Sequence, residues 1–205
     1  NRWRGRRIVG HGSLPVLDVA MRAAGDEPGA RLIAADVGGT YARLGLVGVD
    51  ADGGIRLLFH RRYPCAGFSG LAAILRRFRE ECDAEQTVAF PSACVVAIAG
   101  VLQGDQLLNS NLPWKVSLAE TRREAGIAHL HLINDFEALA WALPQIPVAD
   151  LQVLGQGDGQ GLRLPVLLVG PGTGLGAALV IDQGGRAGAQ PREAGHATLA
   201  ANPPL

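Results

Sequence analysis

The chain has 205 residues, 48% apolar and 5% aromatic, which gives room for one large domain or one and a half smaller ones. Its 19 Lys and Arg balance 19 Asp and Glu, which gives no support for nucleic acid or membrane as the main partner, and neither is expected. No uncharged apolar run nears the ~18 residues of a spanning helix. The three cysteines lack zinc-knuckle spacing and read as reduced, structural thiols of a cytoplasmic protein.

Residues 1–30 stand apart. Arg2, Arg4, Arg6 and Arg7 form a basic cluster, followed by Gly, Pro and Ala with little periodicity. The segment lacks the apolar core of a secretory signal, and Asp18, Asp26 and Glu27 argue against a transit peptide. It reads as a loose extension.

Two apolar runs, Leu32–Ala35 and Leu44–Val49, flank Asp36-Val37-Gly38-Gly39-Thr40 and predict a β-hairpin. The glycines let the backbone take φ > 0 and leave bare N–H groups where a phosphate could approach. Asp36, at the strand end, suits a metal ion held through water. Thr40 adds a hydroxyl and Arg43 a cation. An ordinary hairpin does not require these three together.

Further along, Leu71, Ile74, Leu75, Phe78 and Cys82 recur at helical spacing, with Ser69 as the expected N-cap and the arginines on a solvated face. Ala93–Gly100 reads as a strand apolar on both faces, hence central in a sheet. Gly104-Asp105 marks a turn, and Ser117-x-x-Glu120 is a capping box whose helix ends at Gly126. A strand, His129–Ile133, runs into Asn134-Asp135 and a helix from Phe136 stopped by Pro144. His129 and His131 read as surface or satisfied core residues. Asp135 either caps that helix or, at a strand-to-helix junction of an α/β sheet, carries function. Gln145–Arg163 is a polar, Gly-rich connection.

Gly170-Pro-Gly172-Thr173-Gly174-Leu-Gly176 lies between Leu164–Val169 and Ala177–Ile181. A Rossmann loop should open into a helix, and here the sequence continues β-like. No P-loop pattern exists anywhere. Two glycine hairpins of phosphate-binding type suggest a nucleotide gripped between two similar halves.

Asp36-Val-Gly-Gly-Thr-x-x-Arg43, Ile133-Asn-Asp-Phe136, Gly172-Thr-Gly-Leu-Gly176 and Glu193-x-x-His196 together resemble the bacterial glucokinases of the actin/hexokinase-like ATPase superfamily, over residues 31–200. The resemblance implies an α/β, ribonuclease H-like lobe with a mixed sheet and flanking helices. Residues 31–145 would form the small lobe and 146–205 the start of a truncated second lobe, the chain being read as an amino-terminal piece. It implies ATP and Mg²⁺ as cofactors and glucose or a similar hexose as partner; a homodimer is left open. Asp135 would be the general base. Asp36, Gly38, Gly39, Thr40, Arg43, Gly172, Thr173 and Gly174 would bind the nucleotide, with Asp36 on Mg²⁺ through water. Asn111, Asn134, Glu193 and His196 would contact the sugar, and Trp114 would pack.

Tyr41 and Ala194 depart from the family pattern. A Glu/His pair can also ligate metal, but two ligands make a poor site. The alternatives are a sugar-sensing relative without catalysis, or an amino-sugar kinase of the repressor-kinase group. Residues 197–204 lack the cysteines that follow Glu-x-x-His in that group.

Overall fold

In the computed structural model, the described residues are 30–50, 54–85, 89–108, 111–143, 146–152, 154–155, 163–171, 175–182 and 187–192. The chain divides into two compact units, Asn1–Asp135 and Phe136–Leu205.

The first unit is built on a five-stranded mixed sheet. β1 (Arg31–Val37) and β2 (Tyr41–Val49) form the expected antiparallel hairpin, and β3 (Ile55–Pro64) extends it on the far side of β2. β4 (Ala93–Ile98) lies parallel to β1, and β8 (His129–Ile133) parallel to β4, giving the order β3-β2-β1-β4-β8. β4 is almost wholly buried because it has a strand on each side. A small three-stranded sheet, β5 (Val101–Gln103), β6 (Gln106–Leu108) and β7 (Val116–Ser117), turns at Gly104, whose φ of 60° suits glycine.

Helix α1 (Leu71–Glu85) covers one face of the main sheet. All five residues of its expected apolar stripe are buried, each larger side chain contributing about 1.5–3 kcal/mol. Its start differs from expectation. The Gly70 carbonyl accepts from Ile74 N–H, so the cap position falls on Gly70 and not on Ser69. Nor are its arginines simply solvated. Arg76 pairs with Glu124 at 3.2 Å, and Arg79 donates to the Gly126 carbonyl while stacking on Phe90, tying α1 to α2 (Leu118–Ala125).

The Ser117 cap holds as expected, its Oγ accepting from Glu120 N–H at 3.1 Å, and Gly126 closes the helix in the left-handed region. Asp105 adds what the sequence did not suggest. It accepts from Ala119 N–H at 2.8 Å and from the Ser117 hydroxyl, and its carbonyl accepts from Leu118 N–H. Those bonds hold its carboxyl below the usual range, the Ser117 contact most.

β3 also escaped the sequence reading. A bulge opposite Leu46/Val47 breaks its alternation, and Arg61-Arg62 reads as a surface pair. Phe59 and Tyr63 nevertheless face the core. Arg61 pairs with Glu81 at 3.0 Å and the Tyr63 hydroxyl donates to the same carboxylate at 3.2 Å, fastening β3 to α1.

In the second unit, α3 (Asp135–Ala142) is followed by β9 (Val166–Pro171), β10 (Leu175–Asp182) and β11 (Ala187–Arg192), an antiparallel sheet in the order β11-β10-β9. The second predicted hairpin is therefore present as β9–β10. β11 was not foreseen, since Ala187-Gly-Ala-Gln-Pro-Arg192 has little β propensity. Ala140 and Leu143 pack with Ala178 and Val180. Among the described residues no helix is long and apolar enough to cross a membrane.

Candidate functional site

The register of three strands sets Asp36 level with Ile133, two residues before Asp135. Asp36 on β1 pairs with Ala97 on β4, and Ala97 pairs with Ile133 on β8. Asp36 and the residues after Ile133 thus lie at one carboxyl edge of the sheet, two strand spacings or roughly 10 Å apart. Asp135 follows two residues beyond that line. This is the edge at which parallel α/β sheets carry their ligand sites, because the loops leaving it converge there.

The first hairpin is pinned from several sides. Gly38 N–H donates to the Tyr41 carbonyl at 3.0 Å and so closes the turn. Neither Gly38 nor Gly39 uses the positive φ that glycine permits; among the described residues only Gly100, Gly104 and Gly126 do. Gly39 is required for another reason. A Cβ there would sit 2.6 Å from the Asn111 carbonyl oxygen, so the hairpin approaches the Asn111 backbone too closely for any side chain. That contact brings candidate sugar ligand Asn111 beside candidate phosphate residue Gly39, across 72 positions of sequence.

Cys65 holds the hairpin from behind. Its N–H donates to the Thr40 carbonyl at 2.9 Å and its thiol to the Gly38 carbonyl at 3.3 Å. Trp114 Nε1 in turn donates to the Cys65 carbonyl at 3.1 Å, so Trp114 packs, as expected, but with a directed bond. Cys65 is fully buried, and burial pushes its thiol up. Sequence reasoning missed its part because a clasp onto backbone carbonyls far away in the chain leaves no residue pattern.

Asp36 and Arg43 stand directly opposite across β1 and β2, with Arg43 Nη1 2.8 Å from Asp36 Oδ2. Both side chains are more than half exposed, 55% and 59%. Arg62 on β3 faces Arg43, and its guanidinium stacks 3.5 Å from the centre of the Tyr41 ring. Tyr41, the departure from the family pattern, thus carries a second cation at this face. No group of three His, Cys, Asp or Glu able to hold a metal occurs among the described residues. A lone exposed carboxylate fits Mg²⁺, which keeps several waters and takes one or two carboxylates plus substrate phosphates.

By the bounds of α3, Asn134 occupies the cap position and Asp135 the first helical turn. Both are half-buried. His129 is exposed and His131 half-buried on β8. Gly172, Thr173, Gly174, Glu193 and His196 lie outside the described residues; the strands on either side of the glycine tip pair Gly170 with Gly176.

A family model described as Glucokinase matches residues 33–205. A glucokinase-like protein of Xylella fastidiosa is 40% identical over 170 residues, spanning 82% of this chain and 49% of its own length. The glucokinase of Paramagnetospirillum magneticum is 34% identical over 171 residues, spanning 83% and 51%. The chain thus spans about half the length of the curated relatives it matches. Among solved structures, a glucokinase from an Antarctic psychrotroph superposes with a TM-score of 0.64 at 29% identity, over 84% of this chain and 53% of that one. Sheet order and neighbour agree on the α/β, actin/hexokinase-like ATPase fold. With its matched region extending from the first strand to the last residue, the chain belongs to the glucokinase family.

Proposed function

We propose that the whole protein is a cytoplasmic, ATP-dependent hexose kinase that makes glucose 6-phosphate from glucose, with Asp135 as general base. The observation that supports this reading is the register that sets Asp36 level with Ile133, two residues before Asp135, at the carboxyl edge of the sheet.

Phosphoryl transfer asks a protein for positioning and charge neutralisation more than for covalent chemistry. The Asp135 carboxylate takes the proton of the 6-hydroxyl as that oxygen bonds to the γ-phosphorus, and the bond from phosphorus to the bridging oxygen of ADP breaks. Asn111, Asn134, Glu193 and His196 hold the hexose hydroxyls through directional hydrogen bonds. Gly39, Thr40, Gly172, Thr173 and Gly174 line the phosphates, while Gly38 supports the turn through its own N–H. Mg²⁺, when bound, neutralises charge on the phosphate oxygens, with Asp36 reaching it through water and Arg43 fixing that carboxylate.

The test is product identification. The full-length protein, given ATP, Mg²⁺ and a panel of hexoses, should form a 6-phosphate with glucose among the best acceptors. Hexose binding with no phosphorylated product would favour a sugar-sensing relative instead.

A further inference from the structure

We propose that Phe136 is a positioning residue, a ring seated in a glycine socket that ties the second glycine hairpin to the first turn of α3, where Asp135 stands. The inference rests on the reading of Asp135 as base and of the 170–176 hairpin as a phosphate loop.

Gly170 on β9 and Gly176 on β10 are direct partners in the antiparallel ladder. Glycine weakens a strand, and two opposed glycines leave a bare patch of backbone. The Phe136 ring fills that patch. A Cβ on Gly170 would come within 2.8 Å of Phe136 Cε1, and one on Gly176 within 2.5 Å of Cζ, with still closer clashes to neighbouring ring atoms. Real Cβ atoms essentially never show such distances, so any side chain at either position would expel the ring. The strands give up their own side chains at this rung, whereas Leu168 opposite Ala178 and Val166 opposite Val180 keep theirs.

The location matters as much as the fit. The two glycines are the second rung from the tip, next to the Pro171–Leu175 pair, so the ring braces the two strands close to where they lead into residues 172–174. Phe136 is also one peptide, about 3.8 Å between Cα atoms, from Asp135. A loop displaced at its base therefore carries the first turn of α3 with it. Phe136 also packs against the cluster of Ala140, Leu143, Ala178 and Val180, so its ring joins the glycine rung to the core of this unit.

The test is a mutant cycle in the full-length enzyme. Phe136→Ala is expected to lower kcat by about 10–100-fold while the hexose KM stays within about threefold, since small misplacements of reacting groups are costly. Phe136→Leu, which keeps apolar bulk in the socket, should recover most of the rate. Gly176→Ala should lose kcat like Phe136→Ala, and the double variant should be no worse than Phe136→Ala alone, because no ring remains for the new methyl to strike. If Gly176→Ala does not fold, the double variant must fold; failure to do so overturns the socket.

A Phe136→Ala kcat within about twofold of the parent, or losses that multiply in the double variant, overturns the positioning role. Asp135→Asn is measured in parallel. If it loses activity while Phe136→Ala does not, the positioning role falls and the base stands; if it keeps activity, the base assignment itself falls.

Discussion

Arg43 Nη1 lies 2.8 Å from Oδ2 of Asp36, its direct partner across the first hairpin. At this exposure the pair is worth no more than about 0–1 kcal/mol of stability, so its value lies in aiming a carboxylate. Arg43→Gln should leave the melting temperature nearly unchanged. It should cut kcat/KM for MgATP about 10–100-fold, the usual loss when a metal ligand's supporting partner is removed. Unchanged kcat/KM would separate the ion pair from the donor site.

Gly38 and Gly39 are adjacent but should respond differently to a methyl. At Gly39 it would lie 2.6 Å from the Asn111 carbonyl; at Gly38 the nearest atom is 3.7 Å away, an ordinary contact. Gly39→Ala is expected to destabilise by about 1–3 kcal/mol and to disturb Asn111, raising the hexose KM. Gly38→Ala should fold with a melting temperature close to the parent. Equal effects in thermal unfolding would contradict the close approach.

Much of this was legible in advance, for reasons that differ by element. The β1–β2 hairpin, the stripe of α1, the Ser117 cap and the buried β4 all express local periodicity or capping chemistry, which a sequence carries directly. β3 and β11 were not legible: a bulge and a pair of arginines mask one, and low β propensity masks the other, so tertiary pairing decides both. Asp36, Asn111 and Asp135 could be named from motifs, yet the approach of Asn111 to Gly39 and the alignment of Asp36 with Ile133 could not. Sheet register, the Gly39–Asn111 approach and the Cys65 clasp are long-range facts that leave no spacing behind.

Asp105 should make the first unit acid-sensitive. Its folded carboxyl is held below its ordinary value by the Ser117 hydroxyl and then by Ala119 N–H. A depressed carboxyl contributes stability above the unfolded value, about pH 4, and loses it as pH falls through the folded one. Asp105→Asn is therefore expected to flatten the melting temperature profile between about pH 5 and 3. A slope equal to the parent's would remove Asp105 from the cap. Ser117→Ala, in comparison, should cost about 1 kcal/mol at neutral pH.

The thiols predict the opposite limb. Burial pushes Cys94 up to about 12 and raises Cys65 and Cys82 as well. A raised thiol contributes stability that is complete below its unfolded value, about 8.5, and is lost as pH climbs toward the folded one. Melting temperature should fall above about pH 9, and a thiol reagent at neutral pH should label none of the three until the chain unfolds. Rapid native labelling of Cys65 would contradict the clasp behind the first hairpin.

The most direct measurement is the turnover of Asp135→Asn in the full-length protein, with hexose binding followed by calorimetry. The account predicts a fall in kcat of about 10²–10⁴-fold, with hexose affinity held within about threefold. Turnover within about tenfold of the parent would contradict a proton-accepting carboxylate at this sheet edge.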